Sequence, residues 1–242
     1  MLSRYKTVIN CVGSSQGSYQ QLRKINVDIP LGLVNAAIQA DIKHFIQISS
    51  FSIFGRAEHI DRDTSLNARG AYGQSKLEAE LSLRSLAHGC LKFTTLRLPM
   101  MYGIGLSKLD RLISVLSRLG FLVHLPDDLC RSVIHYDSAA RVVQYIADVE
   151  VPGEVFAADP VPFSYHLLQT AFAQATGVKW PSIIIPQFAS SAMRLFAPSL
   201  SASLFADSYL AERDNFALTA GVGTTLCADL CQMVIRHQKG KS

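Results

Sequence analysis

The chain has 242 residues, 49% of them hydrophobic and 17% charged, with a formal net charge of +4. That balance excludes a disordered polymer and can fill a sizeable core, in one large domain or two small ones. The modest charge and the lack of a long basic run argue against a nucleic-acid partner, and Arg236–Lys241 reads as a solvated basic tail.

Thr7–Gly13 is a β-rich run closed by glycine and reads as a buried strand. Gly13–Gln20 is a polar loop. A helix follows, from Gln21 or from Asp28, and runs to Ala40, with Pro30 acceptable near its start. His44–Ser50 is the next strand, Arg56–Arg69 a charged loop, Tyr72–Ala87 a helix and Phe93–Leu98 a third strand. Strands and helices alternating at this spacing predict parallel pairing with helical crossovers. Beyond Tyr102-Gly103 the rhythm changes. A helix is expected at Lys108–Leu119, a loop at Pro126–Asp128 and a strand at Ser132–Tyr136. Asp137 is expected to cap a helix reaching Asp148. Val155–Ala158 reads as a strand and Tyr165–Thr176 as a helix stopped by Gly177.

Cys11, Cys90, Cys130, Cys227 and Cys231 are odd in number and irregular in spacing, which fits a reducing, cytoplasmic compartment. Cys227 and Cys231 lie four apart on an apolar helical stretch without metal-ligand partners, so they read as buried thiols and no metal site is expected. The apolar Ile183–Ala206 segment is interrupted by Pro186, Arg194 and Pro198, so no membrane span is expected.

The chemistry sits in Tyr72-Gly73-Gln74-Ser75-Lys76. A spacing of four on a helix puts a phenol and an ammonium on one face. A nearby cation favours the phenolate, whose parent phenol has a pKa of roughly 10. A serine from the strand ending Ile48-Ser49-Ser50 would hold a substrate hydroxyl while Tyr72 takes its proton.

These residues resemble the signature of the extended short-chain dehydrogenase/reductases, specifically NAD-dependent sugar epimerase/dehydratases. The resemblance is carried by Tyr72-Gly-x-Ser75-Lys76-Leu77-x-x-Glu80, Asn26-Val27, Ile48–Gly55, Leu96–Gly103 and Arg131–Asp137, in the family's order. It implies a truncated Rossmann-like α/β fold: a parallel sheet with helices on both faces, plus a smaller mixed α/β part that binds substrate. Residues 1–103 would form a partial NAD(P)-binding domain and residues 104–242 the substrate part, with some segments packing back on the sheet. Ser50, Tyr72 and Lys76 would be catalytic. Gly13, Ser49, Pro99 and Met101 would join Tyr72 and Lys76 around NAD or NADP. Ser52, Met100 and Arg131 would meet a nucleotide sugar, with Arg131 on its phosphate. The resemblance also implies a homodimer through the Asn26–Ala40 and Tyr72–Ala87 helices.

Two positions depart from that pattern. Met100 stands where many relatives place an Asn, and suits an apolar steroid- or flavonoid-like substrate of a reductase. The family's opening G-x-x-G-x-x-G turn does not occur, and Gly13–Tyr19 only imitates it. The chain is therefore expected to start just before the family's fourth strand, exposing a sheet edge. A non-catalytic binding or scaffold protein of the same fold is the remaining alternative.

Overall fold

The computed structural model describes residues 5–105, 107–124, 130–184, 208–223 and 225–239. The expected Pro126–Asp128 loop, and Ile183–Ala206 apart from Ile183 and Ile184, lie outside them. Strand β1 (Thr7–Asn10) leads through a loop to α1 (Tyr19–Arg23), where Ser18 and Gln21 form a reciprocal capping box. A π-helical turn (Lys24–Asp28) joins α1 to α2 (Ile29–Gln39). Pro30 falls at the second position of α2, directly after the π-turn. The helix expected from Gln21 or Asp28 is thus one rod in three pieces.

Next come β2 (His44–Ser50), β3 (His59–Ile60), α3 (Gly70–Ala87), β4 (Lys92–Leu98) and β5 (Met100–Tyr102). Strands β1, β2 and β4 pair in parallel, with Thr7 opposite His44 and Ser50 opposite Leu98. Alternation along β2 sends Phe45 to one face and Ile46 to the other. Phe45 packs with Val34 and Ala37 of α2 and with Ala79 and Leu83 of α3. Phe45, Val34 and Leu83 each contribute roughly 1.5–3 kcal/mol by their burial.

The chain continues through α4 (Lys108–Leu119), β6 (Leu122–His124), β7 (Cys130–Arg131), β8 (Val133–His135), α5 (Tyr136–Val149) and β9 (Gly153–Phe156). Strand β9 pairs in parallel with β4, giving the sheet order β1-β2-β4-β9. Val142 and Ile146 of α5 cover Ile46, Leu96 and Leu98, so helices lie on both faces of a parallel sheet, the Rossmann-like α/β arrangement. β1 stands at the edge of the sheet among the described residues and is only half buried, so the expected buried strand is an edge strand. Asp137 does not cap α5: His135 does, its Nδ1 accepting from the Asp137 N–H at 3.2 Å, and Asp137 falls in the first turn.

The last elements are β10 (Phe163–Ser164), α6 (Tyr165–Thr176), β11 (Ser182–Ile184), β12 (Tyr209–Leu210), α7 (Phe216–Thr219) and α8 (Leu226–Lys239). Leu109 and Ile113 of α4, Leu168 and Phe172 of α6 and Leu230 and Met233 of α8 close a second core. Cys227 and Cys231 are half-buried rather than buried, because they face the polar Gln174 on α6. No helix among the described residues is long and apolar enough to cross a membrane.

Candidate active site

In a parallel sheet, side chains that follow the carboxyl ends of neighbouring strands converge above one crevice. Here those ends are Asn10 of β1, Ser50 of β2 and Leu98 of β4. Ser50 is extended (φ −147°, ψ 148°) and its Oγ accepts from the Ser52 N–H at 3.2 Å, capping a 3₁₀ turn over Phe51–Phe54. Helix α3 meets that turn closely: a Cβ on Gly73 would lie 2.7 Å from the Ser52 carbonyl oxygen. Only glycine permits this approach, and it brings Tyr72 and Ser50 onto the lining of one cavity. One turn on, Lys76 is buried and its Nζ donates to the Ile48 carbonyl at 2.7 Å.

Burial dominates the electrostatics. It raises the Tyr72 pKa above the ordinary phenol value, opposed by the Ser50 hydroxyl. It lowers the Lys76 pKa to about 8, opposed by Glu80 and Cys11. The expectation that Lys76 holds the Tyr72 pKa down is therefore corrected: the ammonium is bonded to a backbone carbonyl, and loss of water around the phenol outweighs the stabilisation by Ser50.

Beneath these groups lies a polar layer. Asn26, on the π-turn, is fully buried. Its Oδ1 accepts from the Ser14 N–H at 2.8 Å, and its Nδ2 donates to the Ser14 carbonyl and to Ser75 Oγ, each at 2.9 Å. Ser75 Oγ in turn donates to the Tyr72 carbonyl at 2.9 Å. Asn26 thus ties the loop after β1 to the helix that carries Tyr72 and Lys76. Glu80 and Arg97 form a buried pair at 2.9 Å, and Arg97 also reaches Glu154 at 2.8 Å. Ser49 Oγ donates to Glu80, so Ser49, expected at the cofactor, has its hydroxyl turned into this layer. Sequence reasoning left Glu80 and Arg97 without a site role and weighed Asn26 only as a supporting residue. Glu80 was visible as the last member of the Tyr/Lys motif, and Asn26 as half of Asn26-Val27.

A cavity of about 1030 Å³ opens above the layer. Gly13, Ser49, Ser50, Ser52, Tyr72, Lys76, Pro99, Met100, Met101 and Arg131 all line it, so every predicted site residue reaches one space. Arg56, Arg69 and Lys108 join them, and no Asp or Glu does among the described residues. The lining offers groups of the kind that hold a ribose, the Lys76 ammonium and the Tyr72 and Ser50 hydroxyls. A Cβ at Gly13 would stand 3.3 Å from Asn26 Oδ1 and 3.9 Å from Lys76 Nζ, so the absent side chain leaves a groove beside the ammonium. For a pyrophosphate, the loop between β1 and α1 carries only Gly13 and Gly17, and no G-x-x-G-x-x-G turn occurs among the described residues.

Comparison with known proteins gives the same frame. UDP-glucuronic acid 4-epimerase from Bacillus cereus, solved with NAD, superposes with a TM-score of 0.74 at 16% identity over 99% of this chain and 76% of that one. The UDP-Glc/GlcNAc 4-epimerase of Campylobacter jejuni gives 0.73 at 14% identity over 99% and 79%. RMD from Pseudomonas aeruginosa, complexed with NADPH, gives 0.71 at 15% identity over 97% and 82%. No curated protein matches the chain in sequence. The model of the NAD dependent epimerase/dehydratase family matches residues 2–124, half of the chain, and the chain belongs to that family.

Proposed function

We propose that this protein is an NAD(P)-dependent epimerase or dehydratase of a nucleotide sugar, working through Ser50, Tyr72 and Lys76. The observation that carries the reading is that Ser50, Tyr72 and a buried Lys76 one helical turn on share one cavity, whose lining among the described residues holds cations and no carboxylate. Ser50 orients a sugar hydroxyl toward the Tyr72 oxygen. The phenolate form of Tyr72, which positive charge beside it favours, takes the hydroxyl proton when the sugar carbon is oxidised, and the resulting phenol returns it in the reverse direction. Lys76, Gly13, Pro99 and Met101 would hold a nicotinamide cofactor, which supplies the hydride exchange when bound. Arg131 and Lys108 would neutralise the diphosphate. An apolar steroid-like substrate would bring no charge to that cationic lining. The nucleotide sugars and the NAD or NADPH named for the structural neighbours fit the same reading.

The test is turnover of nucleotide sugars with NAD and NADP by the purified protein and its Tyr72→Phe variant. Phe keeps the ring and removes the proton acceptor, so kcat is expected to fall by about 10²–10⁴ with the circular dichroism spectrum unchanged. Equal turnover by the two proteins would remove Tyr72 from the reaction.

A further inference from the structure

We infer that Arg56 and Arg69 form an anion subsite at the sugar end of the cavity, and that the substrate is a nucleotide sugar whose sugar carries a carboxylate. The inference rests on the nucleotide-sugar reading above.

Both arginines line the cavity, and among the described residues neither has an ion pair or hydrogen bond. Their neighbours on the same loop behave differently. Arg62 pairs with Asp214 at 3.4 Å, and Asp61 is held by Arg213 at 3.2 Å. The loop's third arginine, away from the cavity, is thus matched by an acid, while the two that line it are not.

The backbone brings the pair together. Gly55 has φ 69°, and a Cβ there would lie 2.2 Å from the Asn67 carbonyl oxygen and 3.4 Å from Arg69 Cγ. The Asn67 N–H donates to the Ile53 carbonyl at 2.9 Å. The segments carrying Arg56 and Arg69 therefore cross in contact. The crossing lies beside the reacting groups: Arg69 immediately precedes α3, three residues before Tyr72, and Arg56 follows Ser52 by four. Ser52 Oγ is buried without a hydrogen-bond partner and belongs to the same cavity lining. The first turn of α3 has no side-chain cap and no acidic residue, which adds positive potential at this end. Lys108 and Arg131 come from different segments, the start of α4 and β7, which leaves Arg56 and Arg69 for a second negative group. Guanidinium groups suit a planar carboxylate, which takes two parallel N–H bonds.

The test is calorimetric titration of the full chain with two matched pairs: UDP-glucose against UDP-glucuronic acid, and GDP-mannose against GDP-mannuronic acid. The acid sugar is expected to bind about 10- to 100-fold more tightly than its neutral partner in the pair whose base is accepted. Arg56→Gln/Arg69→Gln should bring that ratio to within about twofold of one. The double lysine variant, which keeps charge but loses the fork, should retain part of it. Equal binding of acid and neutral sugars, or a preference that survives the glutamine variant, would overturn the subsite. Binding of none of the four would overturn the nucleotide-sugar reading and the subsite with it.

Discussion

Replacing Lys76 with Met should make the free protein more stable at pH 7. Lys76 is 5% exposed, and burial holds its pKa at about 8 against an ordinary 10.5. That difference corresponds to about 3 kcal/mol of cost for keeping the ammonium charged in the fold. Met has a similar length and no charge. It forfeits the hydrogen bond to the Ile48 carbonyl, about 1 kcal/mol, but that carbonyl still accepts from Gln47 Nε2 at 2.9 Å and is not orphaned. The net gain is about 2 kcal/mol, or roughly 4–8 °C in Tm for a chain of this size. The pH dependence fixes the cause. Between about pH 8 and 10.5 the unfolded chain holds a proton on Lys76 that the folded chain has released. Wild-type stability therefore rises with pH through that window, relative to the Met variant, and the gap between them closes. Urea titrations followed by circular dichroism at pH 7 and pH 10 measure both quantities. A Met variant less stable than wild type at pH 7, or a gap of equal size at pH 10, would refute the reasoning.

Arg97→Met should destabilise by about 3–5 kcal/mol, a fall of roughly 6–20 °C in Tm, because it leaves Glu80, 1% exposed, charged without its bidentate guanidinium partner. Adding Glu80→Gln removes the charge and keeps an acceptor for Ser49. Thermal melts of the double variant should recover more than half of the loss; none recovered would show that the stacking of Arg97 over Phe54 and Phe156 matters more than the pair. His44 is fully buried, its Nε2 2.7 Å from Thr94 Oγ1 and its Nδ1 without a partner. Thr94 Oγ1 donates to the Val151 carbonyl, so it accepts from His44 Nε2, and a second proton on the buried, unpartnered Nδ1 is disfavoured. Burial lowers the His44 pKa below 6.5, so its contribution is fully present above about pH 6.5 and is lost as pH falls toward the folded-state value. Urea titrations from pH 7 to 5 should show a shallower loss for His44→Gln than for wild type, and parallel slopes would contradict the assignment.

What the sequence disclosed and what it withheld divide along a physical line. The apolar alternation of His44–Ser50 and the spacing of Tyr72 and Lys76 are local patterns, and they emerge as β2 and one face of α3. The ordered motifs also placed every expected residue around one cavity. Features that depend on distant partners were not legible. Asn26 acts through Ser14 and Ser75, twelve and forty-nine positions away. Ser49 and Ser50 are adjacent with alternating directions, and no sequence rule says which hydroxyl turns inward to Glu80 until α3 is docked. The Tyr72 pKa follows from how much water the docked helix excludes, which the four-residue spacing does not encode. Arg56 and Arg69 read as parts of a charged loop, and only its crossing at Gly55 brings them together.

The buried polar groups beneath the cavity make sense as positioning devices. An apolar layer would hold α3 on the sheet at least as strongly, since a buried ion pair is no reliable source of stability. It would not fix the rotation of the helix or its position along the strands, because apolar contacts tolerate small slides. Directional bonds do not. Ser49 of β2 and Arg97 of β4 both bind Glu80, while Asn26 holds Ser75 one residue before Lys76. A slide of one residue along α3 would break all of these together and leave several buried donors unmet, at about 1–3 kcal/mol each. The Ser50–Tyr72 contact needs placement within a fraction of an ångström, and it sits where three such bonds from separate elements converge on one helix.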